Sequence, residues 1–491
     1  MTSSNDTNLP RSTANYIATH ADSRPDAVAV IDGERLYTYA QFDDALRRMT
    51  RALQDFGLAP GSFVAVEWTT LYSHWLVLLA FENLGVATIT YLQGDGGKQP
   101  YFDRMDFVLT TQDWGPDSEI PNCRLTRNWF EVALLQEPVD KVEGSTIGPE
   151  MPHQIVHTSG TTGASKLMIR TGANHEFLTA GFAADSGLTQ QSRYLVTMGM
   201  NIASVYRYAT NCIRLGGTCI WDSGRDIADA VAWHGATEVT LLPVALMNLL
   251  KNLPEDFEKK PNLTVTMIGA PVPKAIRKRA LERFAGRLIE GYSTNETGRV
   301  CTMNDEGVGE IWPGVSVEVV DENDRPVEEA EGNVRIKSAG CASGYLNDPV
   351  ATRDKFRDGW FYPGDLGVLL GLKTLKILGR TDDILNVRGV KFLPYDAEKR
   401  MIAALGMKDI CISTVADADK NTHICIALVP DEGQDAAQLA KQLSKYISPK
   451  FGQFQVVPMG SLPRTATGKI RRNELSAGLA DYLRRKGAKG F

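Results

Sequence analysis

Thr158-Ser159-Gly160-Thr161-Thr162-Gly163-Ala164-Ser165-Lys166 follows the short apolar stretch Ile155-Val156. Its two glycines let the backbone turn sharply and come close to a ligand. Five hydroxyls, the backbone N–H groups and the Lys166 ammonium together suit the oxygens of a phosphate. The stretch is not a Walker A loop, because G-x-x-x-x-G-K-[ST] requires glycine at Ser165 and a hydroxyl at Leu167. On its own it reads either as a phosphate cradle or as a flexible Ser/Thr/Gly linker. Its surroundings decide between the two.

On both sides of this stretch, strand and helix patterns alternate. Phe42, Leu46, Met49, Leu53 and Phe56 form one apolar helical stripe within Tyr39–Phe56, and Gly57 is a good residue to end it. Phe63–Trp68 and Val86–Tyr91 read as strands around a helix at Ser73–Leu84. Further strands are predicted at Tyr194–Met198, Thr218–Trp221, Glu238–Pro243, Leu263–Gly269 and Leu288–Ser293, with helices at Ser204–Leu215, Ile227–His234 and Lys274–Phe284. Such alternation implies parallel sheets covered by helices. From about Trp312 the texture changes. Ser316–Asp321 and Asn333–Ser338 read as antiparallel strands joined by the polar turn Asp321–Arg325. After Gly379 a small α+β unit is expected, with helices near Asp396–Leu405 and Ala436–Ile447 and strands at Ile410–Val415 and Ile424–Val429. The polar run Gly379–Asp383 marks the boundary, and Asp103–Gly148 carries no pattern that assigns it.

The chain's 491 residues predict two to four domains. Its 43% hydrophobic and 23% charged residues are those of a globular protein, not a disordered one. A net charge of −6 argues against a general nucleic-acid binder but permits a local basic patch. Seven scattered cysteines, none at C-x-x-C spacing, suggest neither a disulfide framework nor a zinc site, and reduced thiols point to the cytoplasm. Met1–Arg11 is polar and lacks the apolar region of a signal peptide. The apolar runs Trp75–Phe81 and Leu241–Met247 are too short for a membrane span.

Further blocks follow the first in order. They are Gly291-Tyr292-Ser293-Thr294-Asn295-Glu296-Thr297, Asp358–Leu366 with Gly364-Asp365, Gly379-Arg380-Thr381-Asp382-Asp383-Ile384, Arg388-Gly389-Val390-Lys391, and Leu462–Arg472 with Gly468-Lys469. This ordered set resembles the adenylate-forming superfamily of acyl- and aryl-CoA synthetases, carrier-loading adenylation domains and firefly-type luciferases. The Gly269-Ala270-Pro271 turn and Gly332–Pro349 look like family segments too. Each motif is loose alone; six in this order across nearly the whole chain are not a chance match.

The resemblance implies a fold and a reaction. The fold is a large α/β N-terminal domain over 1–379, with parallel sheets flanked by helices and a small β-barrel-like subdomain. A hinge at 380–383 joins it to a smaller, mobile α+β domain over 384–491. In the reaction a carboxylate attacks the α-phosphorus of ATP, giving acyl-AMP and pyrophosphate, and a thiol then displaces AMP. Positioning and charge neutralisation dominate such chemistry. By similarity, Thr158, Ser159, Gly160, Thr161, Thr162, Gly163 and Lys166 hold the β/γ-phosphates, and Lys166 acts in catalysis. Glu296 takes the place of the magnesium-linked glutamate; a hard oxygen ligand suits Mg²⁺. Tyr292 stacks on adenine, Gly269, Ala270 and Asn295 line the nucleotide pocket, Asp365 accepts from the ribose hydroxyls, and Arg380 helps hold the ribose. Lys469 reaches between the carboxylate and the α-phosphate. Asp382 is the hinge residue, and Gly389 lies in the tunnel of the thiol acceptor. Taken singly, Tyr292 reads as core, Asp365 as a turn residue and Lys469 as solvated surface; their joint order favours the functional readings.

The sequence also departs from the family. Ser165 and Leu167 replace a common proline and glycine, Ser293 and Asn295 replace the usual glycine and threonine, and Pro363 replaces a threonine. Met198–Tyr208 contains neither histidine nor carboxylate, so a substrate ammonium lacks a partner and an α-amino acid is disfavoured. Asn201, Ala203 and Tyr206 are candidates for the acyl pocket, and ordinary helix packing explains them equally well. The leading expectation is a ligase joining an aromatic or short-to-medium carboxylic acid to coenzyme A, using ATP and Mg²⁺. A carrier protein bearing phosphopantetheine is the alternative acceptor, and a non-catalytic nucleotide-binding protein of the same fold is the third reading.

Overall fold

The computed structural model describes residues 12–92, 99, 101–114, 119–140, 148–157, 166–304, 306–346, 348–387, 390–407, 409–416, 422–431, 433–443, 445–447, 454–464 and 470–486. The helix expected from the Phe42–Phe56 stripe spans Tyr39–Gln54. Thr38 and Gln41 close its first turn reciprocally, the Thr38 hydroxyl accepting from the Gln41 N–H and the Gln41 side chain accepting from the Thr38 N–H. The helix at Leu71–Asn83 has no polar face and is buried along almost its whole length, so it serves as a core element between layers. No helix among the described residues is long and apolar enough to cross a membrane, and all seven cysteines are free thiols.

Two sheets carry the large part of the chain. The first has six strands in the order Asn122–Arg124, Phe107–Thr110, Phe63–Glu67, Ala87–Tyr91, Pro152–His157 and Leu167–Thr171. All neighbours are parallel except the last pair, which is antiparallel across the segment 158–166. In the second sheet Arg193–Leu195, Thr218–Trp221, Glu238–Leu241, Lys260–Met267 and Ala285–Thr294 are parallel. Ala285–Thr294 is the junction, because its other edge pairs antiparallel with Gly298–Met303. From there the sheet continues through Val308–Ile311, Thr374–Arg380, Asp365–Leu369 and Gly332–Ser338. The expected hairpin partners, Val315–Val320 and Gly332–Ser338, pair in register from Val315↔Ser338 to Val320↔Asn333.

The C-terminal part has its own three-stranded sheet, Asp409–Ala416, Thr422–Val429 and Phe454–Pro458. Alternation along its strands sends Ile412, Ile424 and Ile426 to a core shared with Met401 and Leu443, while Cys411, Cys425 and Ala427 face Leu475 and Leu479. Both faces are therefore covered, by helices Tyr395–Leu405 and Ala436–Leu443 on one side and Arg472–Arg485 on the other.

Some boundaries differ from the sequence pattern. The strand expected to reach Met198 ends at Leu195, and the helix expected to reach Ile447 ends at Leu443. The unassigned stretch 103–148 contains the strands Phe107–Thr110 and Asn122–Arg124 and the helix Arg127–Ala133. Elements of three to seven residues are too short to display a period.

Candidate active site

Open α/β sheets bind ligands beyond the carboxyl ends of their strands. Here the chemistry-bearing blocks follow such ends. Strand Pro152–His157 leads into 158–166, Lys260–Met267 into Gly269-Ala270-Pro271, and Ala285–Thr294 into Asn295-Glu296. Two side chains tie these turns together. Asn295 Nδ2 donates to the His157 carbonyl at 3.2 Å, so the Glu296 turn is anchored at the entrance of the 158–166 segment. Glu290 accepts from the Val272 N–H at 2.6 Å and from Arg277, fixing the Gly269–Pro271 turn against the strand that bears Tyr292. Gly269 is exposed there with φ +89, and Ala270 is half-buried.

Asp365 is the centre of a second cluster. It is only 4% exposed. Arg380 Nη1 donates to Oδ1 at 3.0 Å, and the Tyr292 hydroxyl donates to Oδ2. Burial opposes the Arg380 charge, but Asp365, Asp382 and Tyr292 outweigh it and raise its pKa. Burial and the Asp365 carboxylate push the Tyr292 phenol far up, so it remains a donor. Gly364, with φ +82, precedes this carboxylate. A Cβ there would lie 3.1 Å from Lys355 Nζ, so the position favours glycine on both backbone and packing grounds. Burial and Arg380 lower the pKa of Lys355, while Asp382, Asp365 and Glu296 pull it the other way. This lysine thus feels all three carboxylates.

Glu296 is buried beside Tyr345, whose hydroxyl donates to Oε1 at 2.8 Å. Lys166 Nζ lies 5.1 Å from the centre of the same Tyr345 ring and 3.9 Å from Asp348 Oδ2. Tyr345 thereby links the last residue of the first motif to the candidate metal ligand. The Glu296 carbonyl accepts from the Ala342 N–H at 2.9 Å, and Arg170 donates to the Asn295 carbonyl. One fixed carboxylate fits Mg²⁺ held mainly by phosphate oxygens and water. No cluster of three or more metal-ligating side chains occurs among the described residues, and Mg²⁺ carried by a triphosphate requires none.

The segment predicted as a hinge includes a short 3-10 turn, Thr381–Asp383. Asp382 is mostly exposed and lies 3.9 Å from Arg380 Nη2. Asp383 pairs with Arg472 at 3.1 Å, and Arg472 also holds Glu398 at 2.7 Å. Thr158, Ser159, Gly160, Thr161, Thr162, Gly163, Gly389 and Lys469 lie outside the described residues.

The three acyl-pocket candidates do not share one neighbourhood. Ala203 packs with Val156, Met168 and Ala342, on the side of Tyr345 and Glu296. Tyr206 lies in the main core, its ring centre 6.1 Å from that of His175. A Cβ on Gly199 would lie 2.8 Å from Asn201 Oδ1 and close to Leu92 and Trp68, which puts the Asn201 side chain in a third setting.

Residues 104–346 match the family described as AMP-binding enzyme. A 2-succinylbenzoate–CoA ligase of Bacillus licheniformis is 24% identical over 484 residues, covering 94% of this chain and 99% of that protein. A 3-hydroxybenzoate–CoA ligase of an Aromatoleum strain is 24% identical over 495 residues, covering 93% and 94%. ATP-bound MatB from Rhodopseudomonas palustris superposes with a TM-score of 0.84 at 21% identity, covering 96% of this chain and 99% of that one.

Proposed function

Because the chain belongs to the AMP-binding, adenylate-forming enzyme family, we propose that it is an AMP-forming acid–thiol ligase. A carboxylate oxygen of an organic acid attacks the α-phosphorus of ATP, and pyrophosphate leaves. The sulfur of coenzyme A then attacks the acyl carbon of the mixed anhydride, and AMP leaves with the bonding electrons. Asp365 and Arg380 hold the ribose, Tyr292 orients Asp365 and borders the adenine, and Gly269 and Ala270 line the same pocket. Lys166 and the 158–163 segment take the β/γ-phosphates. Glu296 would hold Mg²⁺ together with the triphosphate, and the ion would offset negative charge at the phosphates.

The observation that carries this reading is a pair of buried carboxylates, each fixed by a tyrosine hydroxyl: Asp365 by Tyr292 and Glu296 by Tyr345. The resemblance to curated CoA ligases over nearly their full length supports coenzyme A as the acceptor. Lys469, Asp382 and Gly389 complete the scheme. Lys469 serves adenylation, and rotation of 384–491 about Asp382 replaces it with Gly389 at the acceptor thiol.

ATP–pyrophosphate exchange over a panel of carboxylic acids tests the first half-reaction. Exchange followed by thioester formation with coenzyme A supports the assignment. Thioester only on a phosphopantetheinyl carrier protein would move the acceptor, and no exchange with any acid would refute the reading.

A further inference from the structure

Helix Pro349–Lys355 touches both ends of the site, yet the adenylation scheme gives its last residue no part. Its N-cap, Asp348, accepts from the Ala351 N–H at 2.9 Å and lies 3.9 Å from Lys166 Nζ, at the end assigned to the β/γ-phosphates. Thr352, one turn on, accepts from the Tyr345 N–H at 2.9 Å, and the Tyr345 hydroxyl holds Glu296. Lys355 closes the helix, its carbonyl accepting from the Tyr362 N–H at 2.7 Å. The ammonium of Lys355 lies over Gly364. A Cβ on that glycine would be 3.1 Å from Lys355 Nζ, 3.3 Å from Thr381 Oγ1 and 3.6 Å from Arg380 Nη2. The seven-residue helix is about 10 Å long. It therefore reaches from the Lys166 end of the site to Gly364-Asp365, the ribose end.

Two cations, the Lys355 ammonium and the Arg380 guanidinium, thus face one point above Gly364, and Arg380 is paired with Asp365 at 3.0 Å. Lys355 is half-buried, and among the described residues no carboxylate lies within ion-pair distance of it. Asp365 is taken up by Arg380 and Tyr292, and Glu296 by Tyr345; both act on Lys355 from farther away, as does the mostly exposed Asp382. In ATP the anionic group next to the ribose is the α-phosphate. With the ribose on Asp365 and the β/γ-phosphates near Lys166, the α-phosphate falls between the two ends of the helix. A long cationic side chain rooted at the ribose end is placed to meet it.

We propose that Lys355 is a catalytic residue that holds the α-phosphate, first in ATP and then in the acyl-AMP made from it. The proposal rests on the acid-activation reading and adds to it a cation that stays at the phosphate when Lys469 is withdrawn. In the second half-reaction the coenzyme A sulfur, its proton released, bonds to the acyl carbon while the bond from that carbon to the phosphate oxygen breaks. The electron pair stays with AMP, whose phosphate gains a negative charge. An ammonium already in place there stabilises that charge as it develops.

Calorimetric titration with AMP and with adenosine tests the contact. Wild type should bind AMP more tightly than adenosine. Lys355→Met should cut that ratio about tenfold, the low end for a bond to a charged group because the lysine is half exposed. Adenosine affinity should stay the same, and Lys355→Arg should restore part of the ratio. An unchanged ratio would overturn the proposal; if both affinities fell together, the lysine would serve the ribose or the fold instead. Transfer from supplied acyl-AMP to coenzyme A should also slow about tenfold in Lys355→Met, whereas Lys469→Ala spares it. Transfer at the wild-type rate would remove the catalytic role. If no acid supports pyrophosphate exchange in wild type, the acid-activation reading fails, and the ratio of AMP to adenosine affinity still decides whether Lys355 meets a phosphate.

Discussion

Asp365→Asn is the most informative single substitution in the nucleotide cluster. A carboxylate offers about four lone-pair positions. Tyr292 occupies one on Oδ2 and Arg380 one on Oδ1, leaving one on each oxygen for the two hydroxyls of a ribose. Asparagine keeps the shape, removes the charge and turns one acceptor into a donor. One ribose contact and one resident contact are then lost. A hydrogen bond to a charged group contributes about 1.5–3 kcal/mol, so at tenfold per about 1.4 kcal/mol ATP should bind roughly 10- to 150-fold more weakly. Arg380 keeps Asp382 nearby, so the fold should survive. Calorimetric titration of both proteins with ATP, 2′-deoxy-ATP and 3′-deoxy-ATP closes a thermodynamic cycle. In wild type, deletion of a ribose hydroxyl should be costly; in Asp365→Asn at least one of those penalties should largely vanish. If variant and deoxy penalties simply add, Asp365 does not hold the ribose and the assignment of this cluster is wrong.

Three other outcomes follow from the same geometry. Tyr345→Phe removes the 2.8 Å bond to Glu296, and the Mg²⁺ concentration for half-maximal exchange should rise about tenfold, as for one lost bond to a charged group; an unchanged Mg²⁺ dependence would separate Glu296 from the metal. Lys469→Ala should abolish acyl-AMP formation while largely sparing transfer from supplied acyl-AMP to coenzyme A; equal loss of both half-reactions would count against domain rotation. His153 is buried beside Arg214 and Arg170, and burial above all depresses its pKa to about 3. An unfolded histidine protonates near 6.5, so the unfolded state binds more protons between these values and the ring's contribution to stability falls on acidification. In urea unfolding from pH 6.5 to 4.5, His153→Asn should lose up to about 1.4 kcal/mol per pH unit less than wild type; identical slopes would show that the ring is not held neutral.

Local patterns explain why so much was legible beforehand. The stripe from Phe42 to Phe56 has a helical period because one face packs into the core beside the helix Leu71–Asn83, where Phe42 meets Tyr72 and Trp75. The alternation of strands and helices requires parallel pairing, and Arg193–Thr294 shows it. Asp365 and Glu296 stand at turns whose composition announces them. Three other residues carry no such mark. Tyr345 looks like any aromatic in a loop until it meets Glu296, 49 residues away. Glu290 looks like a surface acid until it caps the Gly269–Pro271 turn. Arg170 reads as the exposed partner in an alternating strand, yet it is buried and reaches Asn295, 125 residues on.

The order of motifs along the chain therefore pointed to the family, and to the reaction and nucleotide residues proposed above, because each motif is a few consecutive residues whose chemistry is intrinsic. The tertiary structure alone decided which side chains hold those residues in place, such as Tyr345 at Glu296 and Glu290 at the Gly269–Pro271 turn. Electrostatic interaction depends on separation in space and on burial, and neither quantity is written in the distance between two residues along a chain.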